Sequence, residues 1–199
     1  MAASVVMAAT VGISLLGLLR MPGIINACLF RPYYLVREKQ FATVVTSGLV
    51  HADIGHLLFN MFTFYFFAFP LERHIGTVPF AALYVIGLVA SHGCTYFKQR
   101  NNPQYASLGA SGAISAVLFA YIVYFPATTL MIMPLPIPIP AVLFAVGYVG
   151  YSYWASTHSR GRINHDAHLC GALSGLAFVA LTYPAAFVEF VDKIKQLWG

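Results

Sequence analysis

Charge is scarce in this sequence. Only 9% of the 199 residues are Asp, Glu, Lys or Arg, against 59% hydrophobic residues and a mean hydropathy of +0.75. A soluble domain carries about 25% charged residues. The chain therefore has too little charge to cover a water-facing surface, and lipid is the solvent that suits it. Cysteine is sparse too. Cys28, Cys94 and Cys170 show no CxxC spacing, which argues against a disulfide framework and against a zinc knuckle. The formal net charge of +5 is modest. It fits lysine and arginine in the loops of a membrane protein and gives no sign of nucleic-acid binding. No internal repeat is visible. Apolar runs recur along the whole chain, so residues 1–199 read as a single membrane-embedded, all-α unit, a polytopic membrane protein.

Six spans can be drawn, over about 2–19, 55–71, 78–97, 105–125, 139–155 and 167–188. Each approaches the roughly 20 residues that cross a bilayer core, the second and fifth being the shortest. The first run lacks a basic leader and a clear cleavage site before Arg20, so it reads as a retained span. The connection from 20 to 50 is half apolar and is expected to lie in the membrane interface. Pro134, Pro136, Pro138 and Pro140 alternate, which predicts an extended segment between spans four and five. The tail from 189 onward reads as a short amphipathic surface helix.

With six spans, the second, fourth and sixth run in the same direction. The unusual polar residues sit near the starts of these three. Span two opens with His51, His56 and Asn60, the last two four apart and on one helix face. Span four opens with Gly109, Ser111 and Gly112. Span six opens with His165 and His168, followed by Gly171 and Gly175 along one face. Each piece alone has a packing explanation: small residues let helices approach, and a lone intramembrane histidine is often a hydrogen-bonding strut. His92 reads as such a strut, His51 as a holder of the first loop, and His165 as lying outside the apolar region. Polar groups within spans are costly unless paired, however. A serine, a histidine and a His/Asn pair at matching depth on three co-directional spans exceed what packing requires.

The chemistry that fits is peptide-bond hydrolysis. A serine hydroxyl is a weak nucleophile until a base takes its proton. Ser111 is the candidate nucleophile. His168 is the candidate base, because the glycines below it would let span six approach span four. The tetrahedral oxyanion needs preorganised donors, and the His56 and Asn60 side chains with the Ser111 N–H can supply them. Asp166, two residues from His168, points elsewhere on a helix, so a Ser–His dyad is expected.

These residues resemble the rhomboid family of intramembrane serine proteases. The pattern is HxxxxHxxxN in the second span, GxSG opening the fourth and AHxxGxxxG in the sixth. The chain has His51, His56 and Asn60, then Gly109-Ala110-Ser111-Gly112, then Ala167-His168 with Gly171 and Gly175; TSGLVH before His51 and LERHIG from Leu71 also fit. The resemblance covers nearly the whole chain. It implies a six-helix bundle with its active site below the membrane surface. It also implies a serine endopeptidase that cleaves single-pass membrane proteins near the end of a transmembrane segment, among membrane lipids, with no metal or cofactor, and a bacterial inner (plasma) membrane as its location. Two departures are visible. Many members carry Trp-Arg where this chain has Ala42 and Thr43, so anchoring of the first loop should differ. Bacterial relatives often have a tyrosine one turn after the serine, stacked on the base, where this chain has Ser115.

Loops one, three and five hold Arg31, Arg37, Lys39, Lys98, Arg100, Arg160 and Arg162. The positive-inside rule would place them in the cytoplasm; the resemblance implies the opposite side, which is the arrangement adopted here. Two other readings compete. One is a non-proteolytic, rhomboid-like binder of transmembrane segments. The other is a metal or proton transporter using His51, His56, His165 and His168. No carboxylate or cysteine joins that cluster in the sequence, and His51 and His56, five apart, point different ways.

Overall fold

The computed structural model of the protein describes residues 1–132, 137–158 and 163–198. Pro134, Pro136, Arg160 and Arg162 lie outside the described residues. Among the described residues the chain is helical, with one two-stranded antiparallel sheet. Helix α1 is Ala2–Leu19. Three short helices follow: α2 (Pro22–Cys28), α3 (Pro32–Arg37) and α4 (Thr43–Thr46), with a 3-10 turn at Ser47–Leu49. The long helices α5 (Ile54–Ile75) and α6 (Thr77–Gln99) come next, then α7 (Ser111–Tyr124). Strands β1 (Thr129–Ile132) and β2 (Ile137–Pro140) pair antiparallel, Thr129 opposite Pro140. Helices α8 (Ala141–His158), α9 (His165–Thr182) and α10 (Ala185–Trp198) complete the chain.

Helices α1, α5 and α6 are long and apolar enough to cross a membrane; α9 and α10 would add a fourth span if their bent pair counts as one. Large apolar side chains face outward: Leu58, Phe59, Phe62 and Phe66 on α5, Val85, Ile86 and Val89 on α6. A water-soluble protein would not leave such a belt bare. The interior is built around α7, where twelve of fourteen residues are buried. Helices α5, α6, α8, α9 and α10 all pack against it.

The expected boundaries shift in four places. The helix of the expected fourth span begins at Ser111, not at 105. Gly109 adopts φ +107°, which breaks a helix and suits glycine, and Ser107 pairs with Phe30 through N–H···O bonds of 2.9 and 3.0 Å. The second span is not short. Asp53 starts it early by accepting the His56 N–H at 2.7 Å, and it runs to Gly76, whose φ is +89°. The helix of the expected sixth span stops at Thr182, because Pro184 disfavours a helical residue before it. The chain then turns by 109° into α10, so the amphipathic tail begins at Ala185 and seats Ala186, Phe187 and Phe190 on the core. The helix of the expected fifth span starts after Pro140; Pro138 and Pro140 are extended, as expected, in β2.

The half-apolar first loop is folded as helical turns and is tied down by Phe30–Ser107 pairing. At the opposite end of the bundle the buried Glu72 accepts the N–H groups of Ala2 and Ala3 at 2.6 and 3.0 Å. These are orphan donors of a helix first turn, so the carboxylate joins α5 to α1.

Cysteine spacing misled the reading of the sequence. Cys94 of α6 and Cys170 of α9 form a disulfide, with Cα atoms 6.5 Å apart. Helix packing brings together residues 76 apart, a pairing that no local motif announces.

Candidate active site

The starts of α5, α7 and α9 gather at one end of the bundle. Ser111 is the first residue of α7. The turn before it is held by the Gly109 N–H, which donates to the Ser47 carbonyl at 2.8 Å. On α9, Asn164 accepts the Ala167 N–H at 3.1 Å and donates through Nδ2 to Thr95 Oγ1 at 2.9 Å. That cap fixes the first turn of α9, where His168 stands. A β-carbon on Gly171 would run into the carbonyl of Gly112, and one on Gly175 into that of Ala116. The glycine face of α9 therefore lies directly on the backbone of α7. With the helices this close, His168 Nε2 meets Ser111 Oγ at 2.8 Å. In the tautomer protonated at Nδ1, Nε2 accepts the serine O–H, which is what a general base requires.

His56 forms the facing wall. A β-carbon on Gly109 would come within 2.8 Å of His56 Cε1 and 3.1 Å of Nε2, so the imidazole abuts the backbone two residues before Ser111. Asn60 lies one turn deeper on α5 and is buried. Its Nδ2 donates to the His56 carbonyl at 2.9 Å, which leaves the second amide hydrogen free to bond. His51 is fully buried and its ring sits edge-on to His56, with centroids 4.9 Å apart. Ser14 of α1 donates its hydroxyl to the Leu49 carbonyl at 3.0 Å and accepts from His51 Nδ1 at 3.0 Å. His51 thus ties the first loop and α1 to the site.

A cavity of about 20 Å³ opens beside Ser111, lined among others by His92, Ser107, Gly109, Asn164 and Ala167. That is room for about one water molecule. His92 is a strut as expected, with Nδ1 2.8 Å from the Leu88 carbonyl and Nε2 2.9 Å from Ser47 Oγ. Asp166 turns away from His168 to Lys98 at 2.8 Å. His165, expected outside the apolar region, is packed among protein side chains at 5% exposed, with its ring against Tyr151 and His168. Among the described residues, no three His, Cys, Asp or Glu side chains form a group that could hold a metal ion.

One contributor escaped the sequence. Tyr148 of α8 stacks on His168 with centroids 6.3 Å apart and planes at 26°. Its hydroxyl is 2.7 Å from Ser115 Oγ. An aromatic residue on a different helix bears no spacing relation to either partner, so no motif marks it.

Residues 38–185 match the Rhomboid domain family. The chain is similar to RHOMBOID-like protein 12, mitochondrial, of Arabidopsis thaliana, at 30% identity over 68% of this chain and 45% of that protein. It is similar to Rhomboid protein 1, mitochondrial, of Saccharomyces cerevisiae, at 24% identity over 84% of this chain and 50% of the relative. It also resembles Presenilin-associated rhomboid-like protein A, mitochondrial, of Danio rerio, at 31% identity over 68% of this chain and 36% of the relative. The chain thus spans half or less of the length of each of these relatives. With the family matched across the segment that carries the Ser111–His168 contact, the chain belongs to the rhomboid family of membrane proteins.

Proposed function

We propose that this protein is an intramembrane serine protease that hydrolyses peptide bonds in or near transmembrane segments of single-pass membrane proteins. The observation that carries the reading is the 2.8 Å contact between Ser111 Oγ and His168 Nε2 inside an apolar bundle. A packing role needs neither group there. The six-span arrangement is part of the proposal, with α1, α5, α6, α7, α8 and α9 as the spans. Helix α7 has 14 residues, about 21 Å long at 1.5 Å per residue. A hydrocarbon core is about 30 Å thick, which favours a nucleophile set below the membrane surface.

In this mechanism His168 Nε2 takes the Ser111 proton as the oxygen attacks the scissile carbonyl. The C–N bond breaks with return of that proton to the leaving amine, and an acyl-enzyme remains on Ser111. Water, deprotonated by His168, then releases the acid. The oxyanion is met by the Ser111 N–H and by the His56 and Asn60 side chains. Among the described residues no carboxylate bonds His168, and Asp166 pairs with Lys98 instead, so the centre is a dyad.

The relatives' names support a mitochondrial membrane over the bacterial plasma membrane expected from the sequence. Purified protein in liposomes, given a model single-pass substrate, tests the activity. Wild type should cleave it, and Ser111→Ala and His168→Ala should not. Cleavage that survives Ser111→Ala would overturn the reading.

A further inference from the structure

Helix α8 buries little of itself in the bundle: only Ala141, Ser152 and Ala155 are buried along it. Yet it delivers one polar side chain to the centre of the site. Ser115 donates its hydroxyl to the Ser111 carbonyl at 2.9 Å. A serine has one hydroxyl hydrogen, so in the 2.7 Å contact with Tyr148 the tyrosine O–H is the donor. A chain of bonds therefore runs from Tyr148 O–H to Ser115 Oγ to the carbonyl of the nucleophile's own residue. The same tyrosine ring lies nearly parallel to the His168 imidazole at 6.3 Å, an offset stack within the range where aromatic pairs attract. Phe119 of α7 and Phe144 of α8 pack against the tyrosine ring at 5.4 and 5.7 Å and restrict its rotation.

We propose that Tyr148 is the positioning residue of the dyad, holding the His168 ring in line with Ser111 from α8. The proposal rests on the protease reading and deepens it. A dyad has no carboxylate to fix its imidazole, so another contact must restrict the ring. Tyr148 is the residue that stacks on the base with its ring and meets Ser115 of α7 with its hydroxyl. It contacts no reacting atom, and it acts through His168. Helix α8 then becomes a part of the active site and not merely a neighbour of it.

The test compares Tyr148→Phe with Tyr148→Leu in the full chain, both of which retain apolar volume at the site. Thermal unfolding is read for each, with the rate of Ser111 labelling by a fluorophosphonate, and kcat and KM for a single-pass substrate. Phe keeps the ring and should remain within about fivefold of wild type, the worth of one neutral hydrogen bond. Leu loses the stack and should lower labelling and kcat by about 10–100-fold, the scale of a misplaced catalytic group. KM and the unfolding midpoint should stay close to those of Phe. Equal labelling rates for Leu and Phe would overturn the assignment. So would a Leu defect that followed only from a lowered unfolding midpoint. Wild type that never labels at Ser111 would overturn the protease reading together with this one, whereas a labelled wild type with an unaffected Leu variant would overturn this one alone.

Discussion

Gly171 of α9 rests so tightly on the carbonyl of Gly112 in α7 that a β-carbon has no place between them. One residue before Gly112 is Ser111, and three before Gly171 is His168. The helix contact and the dyad contact are therefore one piece of geometry. Gly171→Ala should push α9 away from α7 and separate the two side chains. Overpacking of this kind costs typically about 1–3 kcal/mol. A lower unfolding midpoint together with lost Ser111 labelling is the expected result, measured on the same preparation.

The oxyanion assignment is tested one donor at a time. His56→Ala and Asn60→Ala should each slow cleavage by about 10²–10³ while the bundle remains folded. The rate comparison needs a folding control for Asn60 in particular, because its amide also bonds the His56 carbonyl. Wild-type rates in both variants would remove these side chains from the mechanism.

Two neighbouring histidines should separate by function. His168→Ala should abolish cleavage. His165 is buried against Tyr151 and His168, so His165→Ala should lower stability while keeping measurable turnover. Unfolding midpoints and rates, taken side by side, check this.

The Cys94–Cys170 bond closes a loop of 76 residues. The chain-entropy estimate for a loop of that length is roughly 4 kcal/mol. Reductant, or Cys94→Ala with Cys170→Ala, should lower the unfolding midpoint, and reductant should have no further effect on the double variant.

Much of the site was legible because its chemistry is spelled by spacing. His56 and Asn60 are four apart, Ser111 lies between two glycines, and His168 precedes Gly171 and Gly175 on one face. Those intervals survive folding because each set lies on one helix or in the turn that starts it. What was not legible depends on contacts between helices. The disulfide joins α6 to α9, and Tyr148 reaches His168 and Ser115 from α8. Tyr151 of α8 packs against His165, a contact that the place of His165 beside a polar loop does not announce. Element ends failed for local reasons. Apolar residues before Ser111 read as span, but Gly109 in a positive-φ turn and the Phe30–Ser107 pairing hold them extended. The sixth span looked continuous through Pro184 because the residues beyond it are apolar, and they are the inward face of α10.

The most direct test of the dyad is the labelling of the purified protein by a fluorophosphonate, with the modified residue located by peptide mass spectrometry. An activated serine should carry the label at Ser111, and His168→Ala should slow labelling by about 10²–10⁴, the usual contribution of a general base. Label at any other residue, or an unchanged rate in His168→Ala, would contradict the account.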